Sequence, residues 1–279
     1  MDTKKVWFVT GASKGLGLTL VKKLLADGHS VAATSRNIAE LQKAVSEETS
    51  TFLPVEVDLI TENSVESAVS KSIEKFGKLD VVVNNAGYGQ LGTLEEISDL
   101  ESRQNFDTNV FGSLNIIRKT MPYLREQKSG FIINIASIGG LTGEFAGWGI
   151  YCATKFAVVG FTEALAAEVK EFGVNATVVY PGYFRTDFLT GGSLRTPKTE
   201  IEEYTVARQL QTAHEKDING NQPGDPEKAA AALIELVKIE NPPVHLVLGS
   251  DAFQIAGNKL NALQSEISDF KTLSTSTDY

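Results

Sequence analysis

Cysteine, histidine and positive charge are all scarce in this sequence. A single cysteine, Cys152, excludes a disulfide within the chain. The three histidines, His29, His214 and His245, do not follow the spacing of metal ligands, so no metal site is expected. Lys and Arg number 26 against 35 Asp and Glu, and the net charge of −9 argues against nucleic acid as a partner.

Long apolar runs are also missing. We find no stretch approaching the roughly 20 apolar residues that span a bilayer, so no membrane partner is expected. The first residues pass directly into a strand-like run at Val6 without the pattern of a signal peptide, and we expect a cytoplasmic protein. With 279 residues, 42% of them hydrophobic and 22% charged, the composition is that of one large globular domain.

The sequence does contain a regular alternation of two patterns. Short apolar runs occur at 6–10, 31–35, 55–58, 79–84, 131–136, 174–180 and 244–248, and helix-like segments lie between them at 16–27, 38–47, 62–76, 99–127, 151–172 and 226–238. Apolar runs without polar alternation are typical of strands that are covered on both faces. The alternation predicts an α/β protein of the Rossmann type, with a doubly wound, seven-stranded, mostly parallel sheet flanked by helices in a single domain over residues 1–267.

Two segments depart from this alternation. Residues 185–224 form a long, polar, helix-prone insertion after the sixth strand, where we expect a substrate lid. Residues 268–279, which end in LSTSTDY, are expected to be a mobile polar C-terminal tail. Because ligands on a doubly wound sheet bind beyond the carboxyl ends of its strands, chemistry is expected directly after each strand.

The first strand is followed by TGASKGLG at residues 10–17. Its glycines, Gly11, Gly15 and Gly17, allow a ligand to approach the backbone closely. The helix that follows offers unpaired N–H groups and the positive end of its dipole to a pyrophosphate. The same spacing would also serve a tight turn between strand and helix, but its place in an alternating chain favours dinucleotide binding.

The end of the second strand indicates which dinucleotide is bound. Many NAD-binding domains place an acid there for the ribose 2′-hydroxyl, but this strand ends in Ser35 and Arg36. Arg36, together with Lys14 of the glycine loop, would attract a 2′-phosphate, so NADP(H) is expected in preference to NAD(H). The alternative is that both cations are solvated surface charges. Asp58, at the end of the third strand, is placed either to accept from the adenine amino group or to cap a helix.

Tyr151 and Lys155, in YCATK, lie four residues apart and share one face of a predicted helix. A free tyrosine titrates near pH ~10, and a nearby ammonium with an oxidised nicotinamide would lower the pKa of Tyr151 until it serves as a general acid or base. The same pattern also arises in amphipathic helices with an incidental tyrosine. Two further residues favour a functional site here. Ser137 follows the fifth strand, and Asn109 lies within a long helix, where a buried Asn requires partners.

The motifs stand together in a familiar order. They are TGxxxGxG at 10–17, NNAG at 84–87, the helix Asn109, Ser137, YxxxK at 151–155 and a PG-to-Thr segment at 181–186. By these motifs, which span residues 6 to about 250, the chain resembles the short-chain dehydrogenase/reductase superfamily in its compact single-domain branch. LGSDAF at 248–253 is also similar to the end of the hydroxysteroid-dehydrogenase-like subset.

The resemblance implies roles for particular residues. Tyr151 would exchange a proton with the substrate oxygen, Ser137 would hydrogen-bond that oxygen, and Lys155 would hold the nicotinamide ribose and depress the pKa of Tyr151. Asn109 would kink its helix and position a water that links Lys155 to solvent. The expected cofactor-binding residues are Gly11, Ser13, Lys14, Gly15, Leu16, Gly17, Ser35, Arg36, Asp58, Leu59, Asn85, Ala86, Gly87, Tyr151, Lys155, Pro181, Gly182 and Thr186.

The aromatic residues near the expected site either pack in the core or line an apolar pocket; they are Tyr88, Phe145, Trp148, Tyr183, Phe184 and Phe188. The leading hypothesis is an NADP(H)-dependent oxidoreductase that interconverts an alcohol and a ketone or aldehyde, with a small, fairly apolar substrate. One alternative is an NADPH-binding redox sensor or scaffold without turnover. Another, a nucleotide-sugar epimerase or dehydratase, lacks its usual TGxxGxxG spacing. By family analogy we expect a homodimer or homotetramer formed through the helices at 99–127 and 151–172.

Overall fold

The computed structural model describes residues 4–46, 49–190 and 192–279, and a parallel sheet forms its centre. The strands are β1 (Val6–Val9), β2 (Ser30–Ser35), β3 (Phe52–Glu56), β4 (Val81–Asn84), β5 (Gly89–Gln90), β6 (Gly130–Ile135), β7 (Val174–Pro181), β8 (Leu194–Arg195) and β9 (His245–Leu248). Seven of them pair in the order β3-β2-β1-β4-β6-β7-β9, with every pair parallel. This confirms the predicted seven-stranded, doubly wound sheet.

Helices cover both faces of this sheet. They are α1 (Gly15–Ala26), α2 (Ile38–Val45), α3 (Glu62–Phe76), α4 (Asp99–Phe106), α5 (Gly112–Gln127), α6 (Gly149–Val169), α7 (Thr205–Thr212), α8 (Pro226–Leu236), α9 (Ser250–Asp269) and α10 (Lys271–Thr275). Alternate strand residues point to opposite faces. Val9 and Val83 therefore pack with α1 and α8, while Phe8 and Val82 pack with α3 and α5. Burial on both faces explains why the strands contain so few polar residues.

The strand order places a natural binding crevice at the centre of the sheet. The chain winds outward from β1 through β2 to β3 and then crosses back to β4 on the other side of β1. Loops after β1 and β4 consequently diverge, and a crevice opens between them at the carboxyl edge. The glycine loop after β1 and the NNAG loop after β4 form its two sides.

Several element boundaries differ from those predicted. The third strand begins at Phe52 and ends at Glu56 instead of covering 55–58. The predicted helix over 99–127 is three segments, because a π-helical stretch, Asp107–Phe111, separates α4 from α5. Residues 268–279, which we expected to be a mobile polar tail, include the end of α9 and all of α10, and the insertion at 185–224 contributes both β8 and α7.

The helix α6 corrects the expectation about apolar runs. Gly149–Phe172 is long and apolar enough, by length and composition, to cross a membrane. In the fold this segment packs along β7, and Leu165 and Val169 are buried against Val174 and Ala176. One side of this helix is thus part of the core, and its first turn carries Tyr151 into the crevice.

Candidate active site

A cavity of about 920 Å³ follows the crevice at the carboxyl edge of the sheet. With two exceptions, all residues predicted to act in catalysis or cofactor binding line this one cavity. The exceptions are Gly17 and Asn109, which are buried behind its wall. The sequence motifs, scattered over more than half of the chain, therefore converge on a single site.

The glycine loop is shaped by close backbone contacts. A Cβ at Gly17 would lie 2.4 Å from the carbonyl oxygen of Gly11 and 2.5 Å from Nδ2 of Asn85. Asn85 uses that Nδ2 to donate to the carbonyl oxygens of Thr10, at 2.9 Å, and Gly11, at 3.1 Å, which ties the NNAG loop to the glycine loop. Gly11 itself has a φ of +65°. A bare backbone turn that leads into the N-terminus of α1 fits a pyrophosphate.

Two cations, Lys14 and Arg36, line one part of the cavity. Lys14 precedes α1 without capping it through its side chain, and Arg36 follows β2; among the described residues neither forms an ion pair with a carboxylate. Ser35 Oγ accepts from the Asn37 N–H at 3.2 Å. The side chains that line this part of the cavity therefore leave two positive charges uncompensated, which fits a phosphate-bearing ligand.

Asp58 serves the turn before α3. Its Oδ1 accepts from the Ile60 N–H at 3.3 Å, and its Oδ2 accepts from Thr61 Oγ1 at 2.9 Å. Thr61 is the residue at the N-terminal cap of α3. Asp58 thus supports the turn before α3 without accepting from an N–H of the helix itself, and its carboxylate, which lines the cavity, keeps lone pairs for a ligand.

Asn109 lies in the π-helical stretch, and its side chain joins the cavity wall to α6. Its Nδ2 donates to the Tyr88 carbonyl oxygen and to Thr154 Oγ1, each at 3.0 Å, and its Oδ1 accepts from the Tyr88 N–H at 3.0 Å. A Cβ at Gly87 would lie 3.0 Å from that Oδ1 and 3.6 Å from Nζ of Lys155. Asn109 therefore joins the NNAG loop to α6, and every polar atom of its side chain has a protein partner.

Tyr151, Ser137 and Lys155 meet at the floor of the cavity. Nζ of Lys155 lies 5.7 Å from the centre of the Tyr151 ring and donates to the Ile135 carbonyl oxygen at 2.9 Å. Burial lowers the pKa of Lys155 to about 8. Burial raises the pKa of Tyr151, and a hydrogen bond with Ser137 opposes that rise. In the protein alone the pKa is raised, because the loss of water around the phenol outweighs the effect of its neighbours, whereas the lowered value predicted from sequence concerns a phenol beside both the ammonium and an oxidised nicotinamide.

The buried ammonium predicts a particular pH dependence of stability. An unfolded lysine keeps its proton up to about 10.5, whereas folded Lys155 loses it near 8. Between these values the unfolded state binds more protons, so the free energy of unfolding contributed by this site rises with pH. When urea unfolding is measured from pH 7 to 10, the free energy of unfolding should rise more steeply with pH for the wild-type protein than for Lys155→Met. Parallel curves for the two proteins would contradict a depressed lysine pKa.

The roof of the cavity contains residues that the sequence reasoning did not select for function. His214, from a π-helical stretch of the insertion, accepts at Nε2 from the Tyr183 hydroxyl at 2.9 Å, because its Nδ1 donates to the Leu210 carbonyl oxygen at 2.8 Å. Its ring lies 5.0 Å from that of Trp148, which in turn lies 5.4 Å from the Tyr151 ring. No local sequence motif marks His214, since its partners come from three separate segments.

Glu96 fastens the insertion to the rest of the domain. Its side chain is fully buried and accepts from the Thr93 N–H, the Ile201 N–H and Nη2 of Arg208, each at 2.7 Å. Burial acts to raise the pKa of Glu96, but these hydrogen bonds outweigh burial and hold that pKa below its ordinary value. The insertion at 185–224 is thereby anchored by a carboxylate outside it.

Comparison with known proteins gives consistent matches. The family model described as short chain dehydrogenase matches residues 5–194. The chain is 35% identical over 271 residues to Oxidoreductase BOA17 of Botryotinia fuckeliana, covering 97% of this chain and 98% of the relative. It is 36% identical over 251 residues to 3-ketodihydrosphingosine reductase of Bacteroides thetaiotaomicron, covering 88% of each protein.

Solved structures agree with these relatives. The crystal structure of a short-chain dehydrogenase from Streptomyces avermitilis superposes with a TM-score of 0.91 at 33% identity, covering 99% of this chain and 100% of that one. A Brucella melitensis 3-ketoacyl-(acyl-carrier-protein) reductase complexed with NADH superposes with a TM-score of 0.72 at 26% identity, covering 88% of this chain and 96% of that one. A Thermococcus sibiricus alcohol dehydrogenase complexed with 5-hydroxy-NADP superposes with a TM-score of 0.70 at 25% identity, covering 88% of this chain and 96% of that one.

Proposed function

Since the chain belongs to the short-chain dehydrogenase family and is an oxidoreductase acting between CH–OH and C=O groups, we propose that it is an NADP(H)-dependent enzyme that interconverts a fairly apolar alcohol with its ketone or aldehyde. One observation carries this proposal above the others. Ser137, Tyr151 and Lys155 line the same cavity as the glycine loop and the two uncompensated cations, Lys14 and Arg36.

Different residues of this chain would bind different parts of a nicotinamide cofactor. The glycine loop and the N-terminus of α1 would hold the pyrophosphate, and Lys14, Ser35 and Arg36 the adenosine 2′-phosphate. Asn85, Ala86 and Gly87 would line the adenosine, Lys155 would bind the nicotinamide ribose, and the segment from Pro181 to Thr186 would position the carboxamide. When bound, the cofactor supplies hydride to a carbonyl carbon or accepts it from an alcohol.

Proton transfer would fall to Tyr151. Its phenol would donate to the substrate oxygen during reduction and accept the proton back during oxidation. Ser137 would donate a hydrogen bond to the same oxygen and stabilise the charge that develops on it. Because burial raises the pKa of Tyr151, the phenol stays protonated in the free enzyme, which suits a proton donor for carbonyl reduction.

An apolar substrate is supported by the side chains around Tyr151. Phe145, Phe188 and Leu189 pack with Trp148 in one cluster that borders the cavity. Such a pocket favours the binding of a substrate that has hydrocarbon groups next to its reacting carbonyl. The alternative of an NADPH sensor without turnover is disfavoured by the complete set of Ser137, Tyr151 and Lys155.

The decisive experiment is a panel of apolar ketones, aldehydes and alcohols assayed with NADPH, NADH and their oxidised forms. Turnover with NADPH in preference to NADH is the expected result. Tight NADPH binding with no turnover across the panel would instead favour the sensor.

The preference for NADP(H) predicts the effect of one substitution. Arg36→Asp places a carboxylate where a 2′-phosphate is to bind, so the affinity for NADPH should fall by roughly 100-fold or more, while that for NADH changes by less than about threefold. Fluorescence titration with both reduced cofactors measures the two affinities. Equal loss for NADPH and NADH would show that Arg36 does not distinguish them.

We further propose that the protein is a cytoplasmic homodimer or homotetramer. Two large apolar side chains are about half exposed on the expected interface helices, Phe111 at 50% and Phe156 at 45%, which supports an interface there. The acidic composition and the single cysteine support the location.

A further inference from the structure

A short strap of the insertion crosses the cavity from the glycine loop to the NNAG side. At one end, a Cβ at Gly192 would lie 3.3 Å from Nζ of Lys14. At the other end, β8 pairs with β5, with the Gly89 N–H donating to the Ser193 carbonyl oxygen and the Leu91 N–H to the Arg195 carbonyl oxygen, both at 2.8 Å. Three residues of extended chain span about 10 Å, so Lys14 and Arg195 mark the two ends of this strap.

Arg195 is held in place by neutral groups. Its guanidinium carbon lies 4.1 Å from the centre of the Tyr88 ring, and its Nη1 donates to the Tyr88 hydroxyl at 3.2 Å and to Gln104 Oε1 at 3.4 Å. Within the described ranges it forms no ion pair with a carboxylate, and it lines the cavity. A guanidinium oriented by an aromatic face keeps further N–H donors for an anion.

Arg36 lines the same cavity as Tyr88 and Arg195. Burial raises the pKa of the Tyr88 hydroxyl. The positive charge of Arg195 and, more weakly, that of Arg36 act to lower this pKa, and the negative charge of Asp107 acts to raise it. The cavity wall around Tyr88 therefore includes two guanidinium groups, one from the loop after β2 and the other from the insertion.

We infer that Arg195 is a specificity-determining residue that binds the adenosine 2′-phosphate from the insertion side, together with Arg36 and with Lys14 at the far end of the strap. This inference rests on the proposed use of NADP(H). It adds a third cation that belongs to none of the sequence motifs. It also links the insertion to the cofactor, because a bound 2′-phosphate would attract the strap onto the cavity.

The test compares Arg195→Gln with Lys198→Gln, which removes an exposed charge from the same insertion outside the cavity. Isothermal titration with 2′,5′-ADP and with 5′-AMP isolates the 2′-phosphate. Arg195→Gln should weaken 2′,5′-ADP by roughly 10- to 50-fold, as expected for one charge-assisted contact, and leave 5′-AMP within about threefold. Lys198→Gln should change neither ligand by more than about twofold.

Two outcomes would overturn the inference, namely equal weakening of both ligands or no weakening of 2′,5′-ADP. The variant Arg36→Gln, measured in the same titrations, distinguishes a failure of this inference from a failure of the proposed function. If Arg36→Gln lowers the preference for 2′,5′-ADP and Arg195→Gln does not, only the role of Arg195 fails. If neither variant changes the preference, the proposed use of NADP(H) fails as well. Circular dichroism and thermal unfolding verify that Arg195→Gln remains folded.

Discussion

Tyr151→Phe is expected to lower kcat by about three to four orders of magnitude while the Kd for NADPH stays within about twofold. The variant retains the ring that packs against Trp148 and Phe188, at 5.4 and 5.9 Å between ring centres, so the cavity keeps its shape. It removes the hydroxyl that interacts with Ser137 and that would transfer the proton. Steady-state kinetics on the best substrate of the panel and fluorescence titration with NADPH provide the two measurements.

Tyr180→Phe is the matched control. Tyr180 is also buried, but its hydroxyl interacts with Nδ1 of His245 at 2.8 Å, away from the cavity. Its loss should cost about 1 kcal/mol of stability and leave kcat within about threefold. If Tyr151→Phe kept more than a tenth of wild-type turnover, Tyr151 would not be the proton donor.

Gly17→Ala should either weaken the fold or displace the glycine loop and weaken cofactor binding. The added Cβ would lie 2.4 Å from the Gly11 carbonyl oxygen, and a backbone atom at the centre of a tight loop has little freedom to move. We expect a loss of about 3 kcal/mol in the free energy of unfolding, or a displaced loop with at least roughly 100-fold weaker NADPH binding. Urea unfolding and NADPH titration distinguish the two.

Gly257→Ala provides the corresponding control. Gly257 is exposed within α9, outside the proposed interface helices, and nothing lies within 4 Å of where its Cβ would be. Alanine there should leave NADPH binding unchanged and stabilise the protein by about 0.5–1 kcal/mol through its higher helix propensity. If Gly17→Ala behaved like Gly257→Ala, the close contact in the glycine loop would not be a constraint on side-chain size.

The sequence was informative where function depends on local geometry. The glycine loop, Ser137 and the Tyr151–Lys155 pair each follow a strand end or share a helix turn, and parallel strands bring all of these to one edge. The prediction for Asn109 was less complete. The sequence indicated a buried Asn that needs partners, but the partners, Tyr88 and Thr154, lie 21 and 45 residues away and become apparent only when the chain is folded.

Residues of the insertion could not be selected from the sequence for a related reason. His214 contacts Tyr183 and Arg195 contacts Tyr88, which lie 31 and 107 residues away, and their own surroundings in the sequence are ordinary polar stretches. The pKa of Tyr151 shows the same limit. Spacing reveals the nearby ammonium, but the burial that dominates the pKa depends on how the insertion covers the site.

The small sheet formed by β5 and β8 also affects how the molecule folds and opens. It joins two pairs of residues more than 100 positions apart, so chain entropy delays its formation until the main sheet has condensed. With only two residues in each strand, it has the fewest interactions to lose. The cavity is therefore completed late in folding, and sub-global opening at β5 and β8 would release a bound molecule without disturbing the seven central strands.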